Sequence, residues 1–293
     1  MNDGPHLTVF EEHRDRLFAV AYRMTGSVAD ADDLCQEAWL RWSEVELATV
    51  RQPEAFLVST MTRLSIDRLR SASHRREIYV GPYLPEPLMT EPPAESDPER
   101  AAELADSLTY AFLVLMDELA PAERAVFLLH DVFGYPFNEI GDAVDRSPDA
   151  VRQMASRTRR KLDAERVELS RFDESAEQDV MASLVGAIAA GDVEGLMALL
   201  APDIVQLDDG GPSRRAARRP IIGPNRVARL WVNLAKRVQP DWTMEFARVN
   251  GSPGLVFGDA EGPFMVIAIE FGPDRLIRRI HAQLNPEKLV HLR

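Results

Sequence analysis

The sequence predicts a multidomain chain in which two all-α units are followed by an α+β unit with its helices first and its strands last. Three observations predict this. Apolar residues recur at three- and four-residue spacing from Leu7 to about Arg76, and again from Leu104 to about Arg171. A stretch crowded with proline and acid, VGPYLPEPLMTEPPAESDPER, separates the two. Three runs rich in strand formers, WTMEFARV, GPFMVIAIEF and RLIRRIHAQL, close the chain.

The bulk numbers agree. At 293 residues the chain is long enough for two or three domains, and 45% hydrophobic residues give each a core. Nothing approaches the run of about 18 apolar residues that a membrane span needs. The N-terminal residues lack the basic and apolar segments of a signal peptide. With one cysteine, Cys35, no intrachain disulfide forms, so a cytoplasmic setting is expected and Cys35 reads as a core residue.

Taken in order, Leu17, Val20 and Ala21 belong to a helix that runs out near Gly26. Ala31, Leu34, Ala38 and Trp42 make the stripe of a second, whose other side carries Asp32, Asp33, Gln36 and Glu37. Pro53 suits the first turn of a third, continued by Phe56, Leu57, Thr60, Leu64 and Leu69. The proline- and acid-rich stretch reads as a linker. Helices resume at Leu104 and at Pro121, the latter ending near Gly134. Two short helices are expected over 136–144 and 148–165. Beyond Arg171, helices near 175–190, 193–200 and 224–238 are interleaved with short β-like runs before the three closing strands.

A net charge of −13 argues against nucleic acid until the charges are placed. Residues 51–76 hold six arginines against two acids, and residues 146–171 hold eight basic residues against four acids. Residues 77–106 hold eight acids against one arginine. Two basic islands flanking an acidic stretch suggest two nucleic-acid contacts joined by a segment that avoids DNA.

The sharpest motif is PFNEIGDAVDRSPDAVRQMASRTRRKL, residues 136–162. Phe137, Ile140 and Val144 face inward from a first helix. Ser147 is a natural N-cap, Pro148 a natural first helical residue, and Asp149 complements the helix dipole. In the second helix Val151, Met154, Ala155, Thr158 and Leu162 form the inner face, leaving Arg152, Gln153, Ser156, Arg157 and Arg160 outside. That is a helix-turn-helix pattern, with Arg and Gln suited to base edges. The plainer alternative is a solvated face on an ordinary helical hairpin. The second motif is the basic helix over 54–76, where Arg63, Ser65, Asp67, Arg68 and Arg70 lead to a basic end at His74, Arg75 and Arg76.

Together these pieces resemble, over roughly residues 7–168, the two DNA-binding regions of extracytoplasmic-function sigma factors of the sigma-70 family. DADDLCQEAWLRW (30–42) is similar to the helix with which the family docks on the clamp helices of the largest subunit of core RNA polymerase. The resemblance makes Asp33, Gln36 and Glu37 the docking residues. FLVSTMTRLSIDRLR (56–70) is similar to the helix that reads and melts the −10 promoter element, with Leu64 where many relatives carry Asn. The loop 43–52 falls where the family captures a flipped-out base. The helix-turn-helix resembles the reader of the −35 element, with Asp145 where many relatives carry Gly. The implied domains are 1–76 (docking and −10), an acidic linker 77–103, 104–171 (−35) and 172–293.

YLPEPL (83–88), DDGG (208–211) with AARRPI (216–221), and NPEKL (285–289) resemble signatures of the subgroup whose C-terminal domain is a SnoaL-like cone, the fold shared with NTF2. Tyr83 stands where a Trp is usual. Such folds include enzymes with a pocket Asp or His, which nominates Asp208 and His281. On the last strand Leu276, Ile280, Ala282 and Leu284 share one face, and His281 shares the other with Ile277, Arg279 and Gln283. The apolar face is the expected core face, which turns His281 away from a pocket. The reading adopted is therefore a non-enzymatic transcription initiation factor that partners core RNA polymerase and promoter DNA. Its C-terminal domain is expected to regulate it by packing through Asp208, Asp209, Gly210 and Gly211, the basic stretch Arg214–Arg219, and the linker. No cofactor, metal or anti-sigma partner is required by the sequence. A pocket that senses a small molecule, or one that retains enzymatic activity, stays open as an alternative.

Overall fold

The computed structural model describes residues 4–77, 79, 81–90, 107–165, 169 and 174–292. The side chains of Arg75 and Arg76, the acidic segment 91–106 and the boundary near Arg171 lie outside the described residues. The chain divides into two units, Met1–Glu77 with Phe112–Arg166, and Ile78–Ala111 with Val167–Arg293.

In the first unit α1 (Gly4–Thr25) and α2 (Val28–Ser43) meet at Gly26, whose φ of 68° suits glycine. Ser27 caps α2 by accepting from the Asp30 amide at 3.0 Å. Trp42 is fully buried and donates its indole N–H to the His6 carbonyl at 2.9 Å, so its polar edge is satisfied. A 3₁₀ turn at Leu47–Thr49 leads to α3 (Pro53–Glu77), which begins on its proline. Leu57, Met61 and Leu64 of α3 pack into the core with Leu17, Leu34 and Trp42.

After α4 (Tyr110–Met116) and α5 (Pro121–Phe127), the chain continues as a π-helical turn, Leu128–Val132, and stops at Gly134. The helix-turn-helix is α6 (Phe137–Val144) and α7 (Pro148–Glu165). Asp145 ends α6 with φ 55° and ψ 55°, the left-handed conformation that explains why glycine serves at this position. Aspartate tolerates it better than most residues. Ser147 accepts from the Ala150 amide at 3.3 Å.

The second unit runs α8 (Glu174–Ala190), α9 (Val193–Leu199), β1 (Leu200–Asp209), β2 (Ile221–Ile222) and α10 (Pro224–Ala235), then β3 (Thr243–Val249), β4 (Ser252–Asp259), β5 (Gly262–Phe271) and β6 (Ile277–Gln283). The six strands form one sheet in the order β2-β1-β6-β5-β4-β3, antiparallel except where β1 runs parallel to β6. This is an α+β unit with helices first and most strands last, as the sequence predicts. Met181, Leu184, Leu196 and Trp231 of the helices pack on Leu255, Ile267, Ile269, Ile280 and Ala282 of the sheet. A register shift between Glu270 and Phe271 turns Ile277 into the core with them, against the strict alternation expected of that strand.

Two findings depart from the sequence reading. Strand β4 was absent from it because Pro253, Gly254 and Gly258 dilute its pattern; Gly254 is needed because a Cβ there would lie 2.4 Å from the Ile267 carbonyl oxygen. The linker is the larger departure. Residues 81–90, read as part of a spacer, are instead a strap bound to the outer face of the sheet, with Leu84 fully buried. A proline-rich extended segment has no internal hydrogen bonds, so its backbone groups are free for partners elsewhere. Here they find them.

Candidate nucleic-acid interface

On α7 the buried side is Val151, Ala155, Thr158 and Leu162, and Arg152, Gln153, Ser156, Arg157 and Arg160 are all exposed. The fold therefore sets these five side chains on solvent-facing positions of one helix. Arg152 is steadied by Asp149 at 2.7 Å and lies 5.4 Å from the centre of the Phe137 ring. Two other basic residues of α7 are spent inside the unit. Arg159 pairs with Asp131 at 2.5 Å, and Lys161 donates to the Glu118 carbonyl at 2.6 Å.

The basic helix α3 sorts less cleanly. Arg63, Asp67 and Arg70 are exposed and share a face at spacings of four and three. Ser65 is a correction. It is fully buried on the opposite side and donates to the Met61 carbonyl at 2.8 Å, so it is not available to DNA in this state. Arg68 is partly buried and pairs with Asp30 at 2.5 Å and Asp33 at 3.6 Å, which ties α3 to α2. Arg63 donates to the Asp142 carbonyl of α6. The Tyr135 hydroxyl donates to Glu54 at 2.7 Å, and this bond, with the nearby Arg16 charge, holds the Glu54 carboxyl below its ordinary range.

The exposed stripe of α2 carries Asp33, Gln36 and Glu37 together with Leu40, which is 63% exposed. Sequence reasoning missed Leu40. The signal was there, because Leu40 is an apolar residue out of phase with the buried stripe Ala31, Leu34, Ala38 and Trp42.

In the second unit the three signature motifs meet. Asp209 is buried and accepts from the Lys288 ammonium at 2.7 Å, the Leu84 amide at 2.9 Å, the Gly211 amide at 3.0 Å and the Tyr79 hydroxyl at 2.5 Å. Lys288 also donates to the Leu84 carbonyl and sits 3.2 Å from the centre of the Tyr83 ring. An aromatic face at position 83 is what this cation requires, and Tyr supplies it. Gly211 (φ 58°) lies so close to Asn285 that a Cβ would be 2.5 Å from that side chain. Gly210 closes a turn in which the Arg214 amide donates to its carbonyl at 3.0 Å. Lys288, Asn285 and Tyr83 belong to motifs visible in the sequence, but their roles were not.

Asn250 is the other anchor, and nothing in the sequence marked it. With Gly251 it makes the two-residue turn between β3 and β4, both at positive φ. Its buried amide side chain accepts from the Leu88 amide and donates to the Leu108 carbonyl, each at 3.0 Å. One side chain thus holds both flanks of the acidic segment.

Asp208 lies on the helix-facing side of β1, where Gln206 donates to it at 2.7 Å and burial raises its pKa. His281 faces the other way, as expected, but is buried there. Its ring stacks 5.4 Å from that of Tyr110, and its Nδ1 is 3.7 Å from Glu270. Burial, with the charge of Arg279 adding, lowers its pKa to about 3. Between pH 6.5 and that value the unfolded chain takes up a proton that the folded one refuses, so stability falls as pH falls, by about 1.4 kcal/mol per pH unit. Relative to His281→Phe, the native chain is expected to lose about 2 kcal/mol more between pH 7 and pH 5 in denaturant titrations. Parallel curves for the two proteins would remove His281 from the acid response.

Residues 9–75 match the Sigma-70 region 2 family and residues 110–162 match the Sigma-70, region 4 family. Over 247 residues the chain is 39% identical to the ECF RNA polymerase sigma factor SigJ of Mycobacterium tuberculosis, covering 84% of this chain and 78% of SigJ. The chain belongs to the extracytoplasmic-function sigma factors. The crystal structure of M. tuberculosis SigJ matches this sigma factor with a TM-score of 0.76 at 32% identity, covering 98% of this chain and all of that one. The probable ECF sigma factor SigI of the same organism is 27% identical over 99% of this chain and 96% of its own. Among the described residues of this sigma factor, no helix is long and apolar enough to cross a membrane.

Proposed function

We propose that this sigma factor docks on core RNA polymerase through the exposed stripe of α2, reads the −10 element with α3 and the −35 element with α7, and is regulated by its C-terminal unit through the strap. The observation that carries the regulatory part is the anchoring of the strap at two buried points, Asp209–Lys288 and Asn250. The resemblance to the family implies a linker that enters the polymerase, and a unit that grips the linker's flanks would set how much of it is free to do so.

In the described state α3 and the helix-turn-helix lie in one unit, joined by Arg63–Asp142 and Glu54–Tyr135. A −10 and a −35 element lie about 25 base pairs apart, roughly 85 Å of duplex at 3.4 Å per step. Helix α3, at 1.5 Å per residue, is about 37 Å long. Reading both elements together therefore requires the helix-turn-helix to leave α3, and Arg63 cannot hold Asp142 and a phosphate at once.

The regulatory proposal is tested by Asn250→Gly, which keeps the positive φ of the turn and deletes the clamp. Transcription by core polymerase loaded with this variant is expected to differ from that of the native chain by about fivefold or more. Core affinity should not change. Equal transcription by the two would contradict regulation through the strap. The docking proposal has its own test, because Leu40→Asp alters an exposed side chain and leaves the helix core intact. It is expected to weaken core binding about tenfold or more, the loss of one central apolar anchor. Unchanged binding would remove Leu40 from the interface.

A further inference from the structure

The C-terminal unit holds a third basic island that the two promoter readers do not account for. From Gly210 to Pro240 the chain has eight of its 34 basic residues and none of its 47 acids. At the chain's average, about five acids would fall in a stretch of that length. All eight basic side chains are exposed, and among the described residues none is in an ion pair. Three other cations of the unit are paired: Arg248 with Glu177, Arg278 with Asp203 and Asp274, and Lys288 with Asp209. Concentrated positive charge without ion-pair partners among the described residues repels itself.

Its placement is ordered. Arg214, Arg215, Arg218 and Arg219 stand on the loop between β1 and β2. The base of that loop is fixed by Asp209, by the Gly210–Arg214 turn and by the close approach of Gly211 to Asn285. Arg226 and Arg229 follow on α10 at a spacing of three, sharing a face with Asn233, and Lys236 and Arg237 continue past its end. Arg229 is steadied by Asn225 at 2.8 Å. A helix of 12 residues is about 18 Å long and spans about five base-pair steps of duplex. Seven of the eight cations are arginines, whose forked guanidinium suits phosphate oxygens. They are spread over a loop, a helix and the residues just past its end. That distribution fits an extended polyanion better than a small anion.

We propose that this surface is a third duplex-DNA contact, a sequence-independent grip on the phosphate backbone made by the C-terminal unit. The inference rests on membership of a promoter-binding family and not on the regulatory proposal. A tethered phosphate grip raises the effective concentration of the two sequence readers on the same DNA. An acidic protein surface, including the chain's own acidic segment, is the rival occupant, and the experiment separates it.

The test is binding of the full chain, without polymerase, to a labelled random-sequence duplex of about 60 base pairs across a salt series. Each phosphate contact contributes about 0.9 to the slope of log affinity against log salt. The variant Arg214→Gln/Arg215→Gln/Arg218→Gln/Arg219→Gln is expected to flatten that slope by about 2 to 4 and to weaken binding about 10- to 100-fold near 100 mM salt. Arg226→Gln/Arg229→Gln, a milder change, is expected to flatten it by about 1 to 2 and carries the test alone should the fourfold variant not fold. Calorimetry should show an unchanged transition for both variants. The proposal is overturned if both slopes match the native chain's. It is also overturned if DNA binding tightens, as it would when the arginines hold an acidic protein segment.

Discussion

Asp209→Ala is expected to destabilise the C-terminal unit by about 3–5 kcal/mol, the cost of leaving one partner of a buried ion pair uncompensated. The Lys288 ammonium, nearly out of contact with water, would lose its carboxylate and be left beside the Leu84 carbonyl and the Tyr79 and Tyr83 rings. The Leu84 and Gly211 amides and the Tyr79 hydroxyl would lose their acceptor at the same time. For a unit of this size 1 kcal/mol moves the midpoint by about 2–4 °C, so a fall of about 10 °C in the unit's calorimetric transition is expected. Replacing both partners, Asp209→Ala with Lys288→Met, should recover part of the loss because the buried charge goes too. A shift of under about 2 °C in the single variant would mean that the pair is not what holds the strap.

The second large effect concerns the reading face of α7. Arg152→Ala/Arg157→Ala/Arg160→Ala removes three exposed guanidinium groups and leaves the buried side, Val151, Ala155 and Leu162, intact. Single contacts of this kind contribute about 1–3 kcal/mol to a matched site. A combined loss of about 3–6 kcal/mol, or roughly 100- to 10,000-fold in affinity for a cognate −35 sequence, is expected. Binding measured at one fixed salt concentration checks it, with calorimetry to show that the unit still folds. Gln153→Ala alone should alter which −35 sequence is preferred. Native affinity in the triple variant would move the reading face elsewhere.

What was legible in the sequence was local chemistry. Pro53, Gly26, and the trio Ser147, Pro148 and Asp149 mark helix ends through backbone geometry and caps that act within four residues. The inner and outer sides of α7 follow from helical periodicity alone. Errors arose where a helix was read as a list of polar residues. Ser65 sits two residues from both Arg63 and Asp67, which at 100° per residue puts it across the helix from them. Leu40 was passed over for the converse reason, being apolar on a polar stripe. The strap was beyond local reading. Its backbone partners, Asp209, Asn250, Gln283 and Lys288, lie roughly 125 to 205 residues away in sequence. Proline content described the segment's lack of internal hydrogen bonds and not where those bonds would be made. The same holds for His281, whose orientation followed from strand alternation while its burial depends on Tyr110, brought over it from the far end of the linker.

The central claim is that this chain directs RNA polymerase to a promoter. Runoff transcription with purified core polymerase, on genomic templates and with the 5′ ends of the products mapped, tests it most directly. Adding the full chain should produce discrete start sites that share sequence elements near −10 and −35, and should do so less efficiently as salt rises. If the chain leaves the products of core polymerase alone unchanged and does not co-purify with it, the claim is wrong.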